Sequence, residues 1–187
     1  MLIAFFRLLL LACTLSAGVP ALAAAPLELT VERVAGADGG KLYRIASSGT
    51  VAATPAAVWR ILTDYNRMAE YVPDLKSARV VAREGDKVTI EQHGAARLLF
   101  FSRDIHLVVQ VHEQAPNRLD VSLVDGDMKV YRCSWELTPL ADGGTRLVYH
   151  ATIEPKFYVP GMVGASLVRQ DIARMMAAVL LRLDRPD

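Results

Sequence analysis

Residues 162–183 read MVGASLVRQDIARMMAAVLLRL, and this stretch decides what kind of fold the chain can adopt. It holds no proline, and Gly164 is its one glycine. Val168, Ile172, Met175, Met176, Val179 and Leu183 recur at helical spacing, while Arg169, Gln170, Arg174 and Arg182 fall mostly off that stripe. The pattern predicts a long amphipathic helix, which has to bury its apolar face against another layer.

The segments upstream supply that layer. Residues 78–81, 87–92, 97–113, 118–124, 128–137 and 145–154 have strand-like composition. Turn chemistry at 84–86, 115–117, 125–127 and 141–144 separates most of them, and connections this short favour antiparallel meanders. Alternation assigns the faces. Phe101, Ile105, Leu107, Val109 and Val111 share one side of a strand, as do Leu119, Val121 and Leu123. Tyr131, Cys133, Trp135 and Leu137 do so in the next strand, and Leu147, Tyr149, Ala151 and Ile153 in the last. Period two is what a sheet with one covered face requires.

Before the meander, 27–34 and 42–53 read as a hairpin around the turn at 37–40. Thr54-Pro55 then opens a helix, with Thr as cap and Pro at the first helical position. Val58, Trp59, Ile61 and Leu62 form its apolar face. A second short helix, 67–71, stops ahead of Pro73.

The first residues are of another kind. Arg7 is followed by an apolar run from Leu8 to Ala12, and Ala21-Leu22-Ala23 is a small-x-small site. This is the grammar of a secretory signal peptide, so residues 1–23 are expected to be cleaved and 24–187 to form the working domain. The run is too short for a membrane span, which takes about 20 apolar residues. Export places the mature chain in a periplasm or outside the cell. A minor alternative uses Leu10-Leu11-Ala12-Cys13 as a loose lipobox, making a lipoprotein through Cys13.

The chain carries 21 Lys+Arg and 20 Asp+Glu, and losing Arg7 leaves a neutral mature protein. A neutral balance gives no field to gather a polyanion, so nucleic acid is not an expected partner. The mature length suits one domain of about 100–200 residues, and a monomer is expected. Cys133 remains without a partner for an internal disulfide and reads as a buried structural thiol.

This order of elements, with particular words at particular places, is recognisable. Ala53-Thr54-Pro55-Ala56-Ala57-Val58-Trp59, Leu62-Thr63-Asp64-Tyr65 and Tyr71-Val72-Pro73 come first. Val124-Asp125-Gly126-Asp127-Met128-Lys129 and Trp135-Glu136-Leu137-Thr138-Pro139 follow. From about Gly49 to Leu183 the chain resembles the START-like (SRPBCC, helix-grip) superfamily, and within it the polyketide cyclase/dehydrase and coenzyme Q-binding group. The resemblance implies an α+β helix-grip fold. A curved antiparallel sheet would wrap the long C-terminal helix, with two short helices after the first strands and an apolar cavity between sheet and helix. The superfamily spans carriers and cyclases, so fold alone does not choose a function.

Phe101, Tyr131, Trp135 and Tyr149 on the sheet, with Met175 and Met176 on the helix, are the expected lining. Aromatic rings bring area with a polar tip and Met adapts its shape, which suits an oily ligand with a small polar head. The same residues could simply fill a core. Arg103 is in phase with Phe101 and Ile105, and Gln92 with Val88 and Ile90. A buried Arg103 would need a ligand oxygen; a bridge to Asp104 or a bulge near Ser102 is the plainer reading.

His93, His106, His112 and His150 fall on outward parity, without zinc-site spacing, and no metal or other cofactor is expected. No Gly-x-Ser-x-Gly elbow or phosphate-binding glycine loop is present. Residues 154–163 are unusually apolar for a connection. Phe157 to Met162 could gate the cavity, touch a membrane transiently, or staple the helix start. The leading expectation is an exported, non-catalytic binder of a lipid, an isoprenoid or quinone, or a polyketide-like compound. Arg103, Tyr131 or Tyr149 would meet its polar head. A cyclase/dehydrase-type enzyme and an interaction module with a vestigial pocket are the alternatives.

Overall fold

The computed structural model describes residues 27–36, 39–98 and 101–185, without the side chains of Leu98 and Phe101. The expected signal peptide, Cys13 and the new N-terminus at Ala24 lie outside the described residues.

Among the described residues, eight strands and two α-helices follow in chain order: β1 (Glu28–Ala35), β2 (Lys41–Val51), α1 (Pro55–Leu62), β3 (Leu75–Glu84) and β4 (Lys87–Leu98). Then come β5 (Phe101–Gln114), β6 (Arg118–Gly126), β7 (Met128–Pro139), β8 (Thr145–Pro155) and α2 (Gly164–Leu183). The strands form one sheet in the order β1-β2-β8-β7-β6-β5-β4-β3, every neighbouring pair antiparallel. The first hairpin therefore sits beside the last strand, and the meander β3 to β8 closes back onto it. With α2 laid against the sheet, this is the α+β helix-grip architecture.

Local chemistry explains the helix starts. Thr54 caps α1 with its hydroxyl accepting from Ala57 N at 3.4 Å, and Pro55 fills the first turn, where a missing N–H costs nothing. The second short helix is a 3-10 turn over Tyr65–Glu70, two residues earlier than its composition suggests. Tyr65 is drawn into the core, and its hydroxyl donates to Glu113 at 2.8 Å.

The larger core cluster joins Val58 and Leu62 of α1 to Val88, Ile90, Val109, Val111, Leu119, Leu137 and Leu147 of the sheet, with Val179 and Leu183 of α2. The smaller one holds Ile45, Tyr149, Ala151 and Met176. Full burial of such a side chain contributes about 1.5–3 kcal/mol, so α2 is held by its stripe. No described helix is long and apolar enough to cross a membrane.

The single strand expected over 97–113 is instead two. β4 ends at Leu98 and β5 begins at Phe101, which pair with one another. The run Arg97-Leu98-Leu99-Phe100-Phe101 carries none of the Gly, Pro, Asn or Asp that mark turns, so composition hid the hairpin.

Candidate functional site

Between α2 and the covered face of the sheet lies a cavity of about 290 Å³. Its sheet wall is built by period-two alternation: Ile90 and Gln92 from β4, Ile105, Leu107, Val109 and Val111 from β5, Leu119 and Val121 from β6. Tyr131, Cys133 and Trp135 of β7 and Tyr149 of β8 close the far wall. Met175 and Val179 come from α2, and Tyr65, Met68, Tyr71 and Val72 from the 3-10 helix and the loop after it.

Polar side chains punctuate the apolar lining, Gln92 and Tyr65 among them. The Tyr131 and Tyr149 hydroxyl-bearing rings and the Cys133 thiol all line the cavity, from the paired strands β7 and β8. The Trp135 and Tyr149 rings lean together, centroids 4.6 Å apart. Burial raises the Cys133 thiol to about 12. Tyr131 is raised by the neighbouring thiol and by burial, and Tyr149 chiefly by burial. All three stay protonated near neutral pH, so they can offer hydrogen bonds but cannot serve as ready bases or as a thiolate.

The mouth is charged. Asp74, at a positive φ of 62°, accepts three hydrogen bonds from Arg97 at 2.7, 2.9 and 3.0 Å and one from Arg174 at 3.1 Å. Arg174 also donates to Asp171 at 2.6 Å, while its Nε is buried without an acceptor. Arg97 and Arg174 hold the Asp74 carboxyl below the usual range, and burial pushes Asp171 up. These charges tie the loop before β3, the β4 end and α2 together across the cavity rim.

The two shifts act in opposite directions with pH. Asp74, with its lowered folded value, stabilises above the ordinary carboxylate range, and that contribution is lost as pH falls through the folded value. Asp171, raised, contributes most in acid and loses this as pH rises. Asp74→Asn is therefore expected to cost about 1–2 kcal/mol at neutral pH, the scale of a charged hydrogen bond. It should also flatten the acid limb of the stability curve. Thermal melts across pH check this, and an acid limb as steep as the parent's would refute it. Asn tolerates the left-handed backbone at position 74, which keeps the comparison clean.

The structure places the expected site residues as follows. Tyr131, Trp135, Tyr149 and Met175 line the cavity. Met176 is completely buried in the smaller core cluster, one position off the cavity side of α2. Phe101 opens β5, and its side chain lies outside what the structure describes. Arg103 is corrected: it is exposed, with its guanidinium 5.1 Å from the centre of the Phe157 ring. Exposed near the start of β5, the charge meets solvent at far lower cost than the interior would exact. Gln92 does line the cavity, its amide 4.0 Å from Met68 Sδ.

The histidine reading also needs correction in part. All four lie outside the cavity, yet His93 and His106 face each other across β4 and β5 beside Glu91. A larger hollow of about 670 Å³ on the opposite sheet face is open and lined by charges such as Arg44, Arg118 and Asp120, unsuited to an oily ligand.

An antiparallel sheet gripping a C-terminal helix around an apolar chamber is the build of a helix-grip protein. The chain belongs to the polyketide cyclase / dehydrase and lipid transport family, whose model matches residues 51–180. Solved structures share the fold. A START superfamily protein from Mycobacterium smegmatis is 19% identical, with 75% of this chain and 97% of that one covered and a TM-score of 0.65. A STAR-related lipid transfer protein from Xanthomonas axonopodis is 18% identical, covering 83% and 99% at a TM-score of 0.60. The Zhui aromatase/cyclase from Streptomyces is 13% identical, covering 76% and 91% at 0.62. No curated protein sequence is significantly similar to the chain.

Proposed function

We propose that the protein is an exported carrier that sequesters one hydrophobic small molecule, of lipid, isoprenoid or polyketide-like kind, between the sheet and α2. One observation carries the reading: an apolar chamber of about 290 Å³ into which the paired strands β7 and β8 set Tyr131, Cys133 and Tyr149. Ligand chambers run from about 300 Å³ upward, and an engineered 150 Å³ cavity takes benzene, so this one suits about two rings or one short chain. The hydroxyl pair would hold a carbonyl or hydroxyl of the ligand. Family membership supports hydrophobic cargo. The Arg7 start and the Ala21-Leu22-Ala23 site support export.

Loading from a membrane is supported by the connection between β8 and α2. Tyr158 and Met162 are 77% and fully exposed, and Lys41 Nζ lies 4.7 Å above the Tyr158 ring. Apolar tips beside cations suit an anionic interface.

Native mass spectrometry of the exported protein, followed by solvent extraction, tests the carrier reading. A stoichiometric extractable compound and a mature mass starting near Ala24 are expected. Tyr131→Phe with Tyr149→Phe should lower retention of that compound roughly tenfold, the worth of one or two hydrogen bonds. Tyr158→Ser with Met162→Ser should slow its transfer from anionic vesicles without changing retention. An empty protein that converts a polyketide-like substrate, with turnover lost in Tyr131→Phe, would replace the carrier by a cyclase.

A further inference from the structure

The outer face of the β4–β5 hairpin carries a cluster that the cavity does not use. The register sets His93 directly opposite His106, and Glu91 lies two residues before His93 on the same face. The two imidazole rings stack with centroids 4.7 Å apart and planes 27° apart. Glu91 Oε1 sits 3.2 Å from His106 Nε2 and 3.8 Å from His93 Nε2. One donor atom from each of the three residues falls within 4.8 Å of the others.

We propose that Glu91, His93 and His106 form a surface site for a borderline divalent metal ion, zinc first among them. Zinc bonds nitrogen and carboxylate oxygen at about 2.0–2.2 Å, so neighbouring donors around a tetrahedral ion stand about 3.4 Å apart. The two nitrogen-to-oxygen distances bracket that value, and the two rings, with centroids 4.7 Å apart, would draw together around the ion. Two imidazoles with one carboxylate is a donor set for zinc, copper or nickel rather than magnesium or calcium.

The surroundings hold the donors in place. Arg79 donates to Glu91 Oε2 at 2.7 Å, which orients the carboxylate and leaves Oε1 toward the rings. His106 is pinned at its backbone: its N–H donates to Asp127 Oδ2 at 2.8 Å, and its carbonyl accepts from Asp127 N at 2.9 Å. A hydrogen bond to a ligating carboxylate, such as Arg79 makes to Glu91, commonly fixes a metal ligand. With three protein donors at a half-exposed surface, a fourth position faces solvent and stays open to water or an added ligand. The site lies on the opposite side of the strands from Gln92 and Ile105, so it stands whether or not the chamber carries cargo.

Untagged mature protein, stripped with a chelator, would be titrated with zinc alone by calorimetry and with cobalt by visible absorption. One equivalent of zinc and a cobalt spectrum of low-coordinate type are expected. His93→Gln and Glu91→Gln should each weaken zinc at least about tenfold, and His93→Gln with His106→Gln should abolish binding. These are surface positions, and circular dichroism of each variant shows that the fold persists. The proposal is overturned by an absence of binding in the parent protein. It is equally overturned if the double variant keeps its zinc, which would move the ion to a pair such as His112 and Asp86.

Discussion

Gly126→Ala is expected to destabilise the protein by about 3–5 kcal/mol, near the top of what single substitutions do. Gly126 has φ 125°, a conformation that L side chains rarely adopt and that alone costs about 1–3 kcal/mol. The remainder is a collision. A Cβ there would be driven into the His106 carbonyl oxygen and would lie 2.9 Å from Leu107 Cα, backbone atoms of a central strand that cannot swing aside. The residue ends a bulge in which β6 slips against β5 between Val108 and Val109. Asp125 Oδ1 accepts from Gly126 N at 2.8 Å, and Asp127 then locks onto His106. Gly85→Ala is the control. It also has positive φ, at 59°, but nothing lies within 4 Å of the new methyl, so only about 1–2 kcal/mol of backbone strain is expected. At roughly 2–4 °C per kcal/mol for a domain of this size, the two variants should melt well apart. Equal losses in both would show that close approach to β5 contributes nothing.

That bulge shows how far the fold could be read in advance. The word Val124-Asp125-Gly126-Asp127 announced a turn between two strands, and β6 and β7 meet there. Strand parity was legible because one face is covered. Leu107, Val109, Val111, Leu119, Leu137, Leu147, Tyr149 and Ala151 are all buried. The α2 stripe was legible for the same reason, with Met176, Val179 and Leu183 buried. What failed was the break between β4 and β5, where the run 97–101 carries no turn-marking residue. Missing it hid the β4–β5 register, and with the register went the His93–His106 pairing and the cavity lining from Gly94 to Ala96.

The site was legible only where it is made of strands. Tyr131, Trp135 and Tyr149 follow from alternation. Tyr65 and Met68 enter from a 3-10 turn, whose three-residue period leaves no long pattern, and Tyr71 and Val72 from the loop after it. The rim depends on Asp74 meeting Arg174, a hundred positions along the chain. Parity also has an end: Arg103 keeps the inward phase yet is exposed, beside the Phe157 ring. Periodicity reports the face a residue points to, not whether anything lies above that face.

Val121→Trp is expected to remove hydrophobic-ligand uptake almost completely while leaving the fold intact. Val121 lies mid-sheet, paired with Val111 on one side and Cys133 on the other, and lines the chamber. An indole projected from it would occupy much of about 290 Å³, space that a two-ring ligand otherwise takes. Aromatic residues suit strands, and the ring would enter an existing void rather than a packed core, so a stability change within about 1–3 kcal/mol is expected. Val81→Trp supplies the contrast. Val81 is 44% exposed on β3 and does not line the chamber, so the same ring added there should leave uptake unchanged. Uptake is read by the extractable compound per mole of protein and by displacement of a naphthalene-based fluorescent probe. If Val121→Trp abolishes both and Val81→Trp neither, cargo sits between sheet and α2. If Val121→Trp still holds its full complement, the binding place is elsewhere and the carrier reading of this chamber falls, whatever the protein proves to carry.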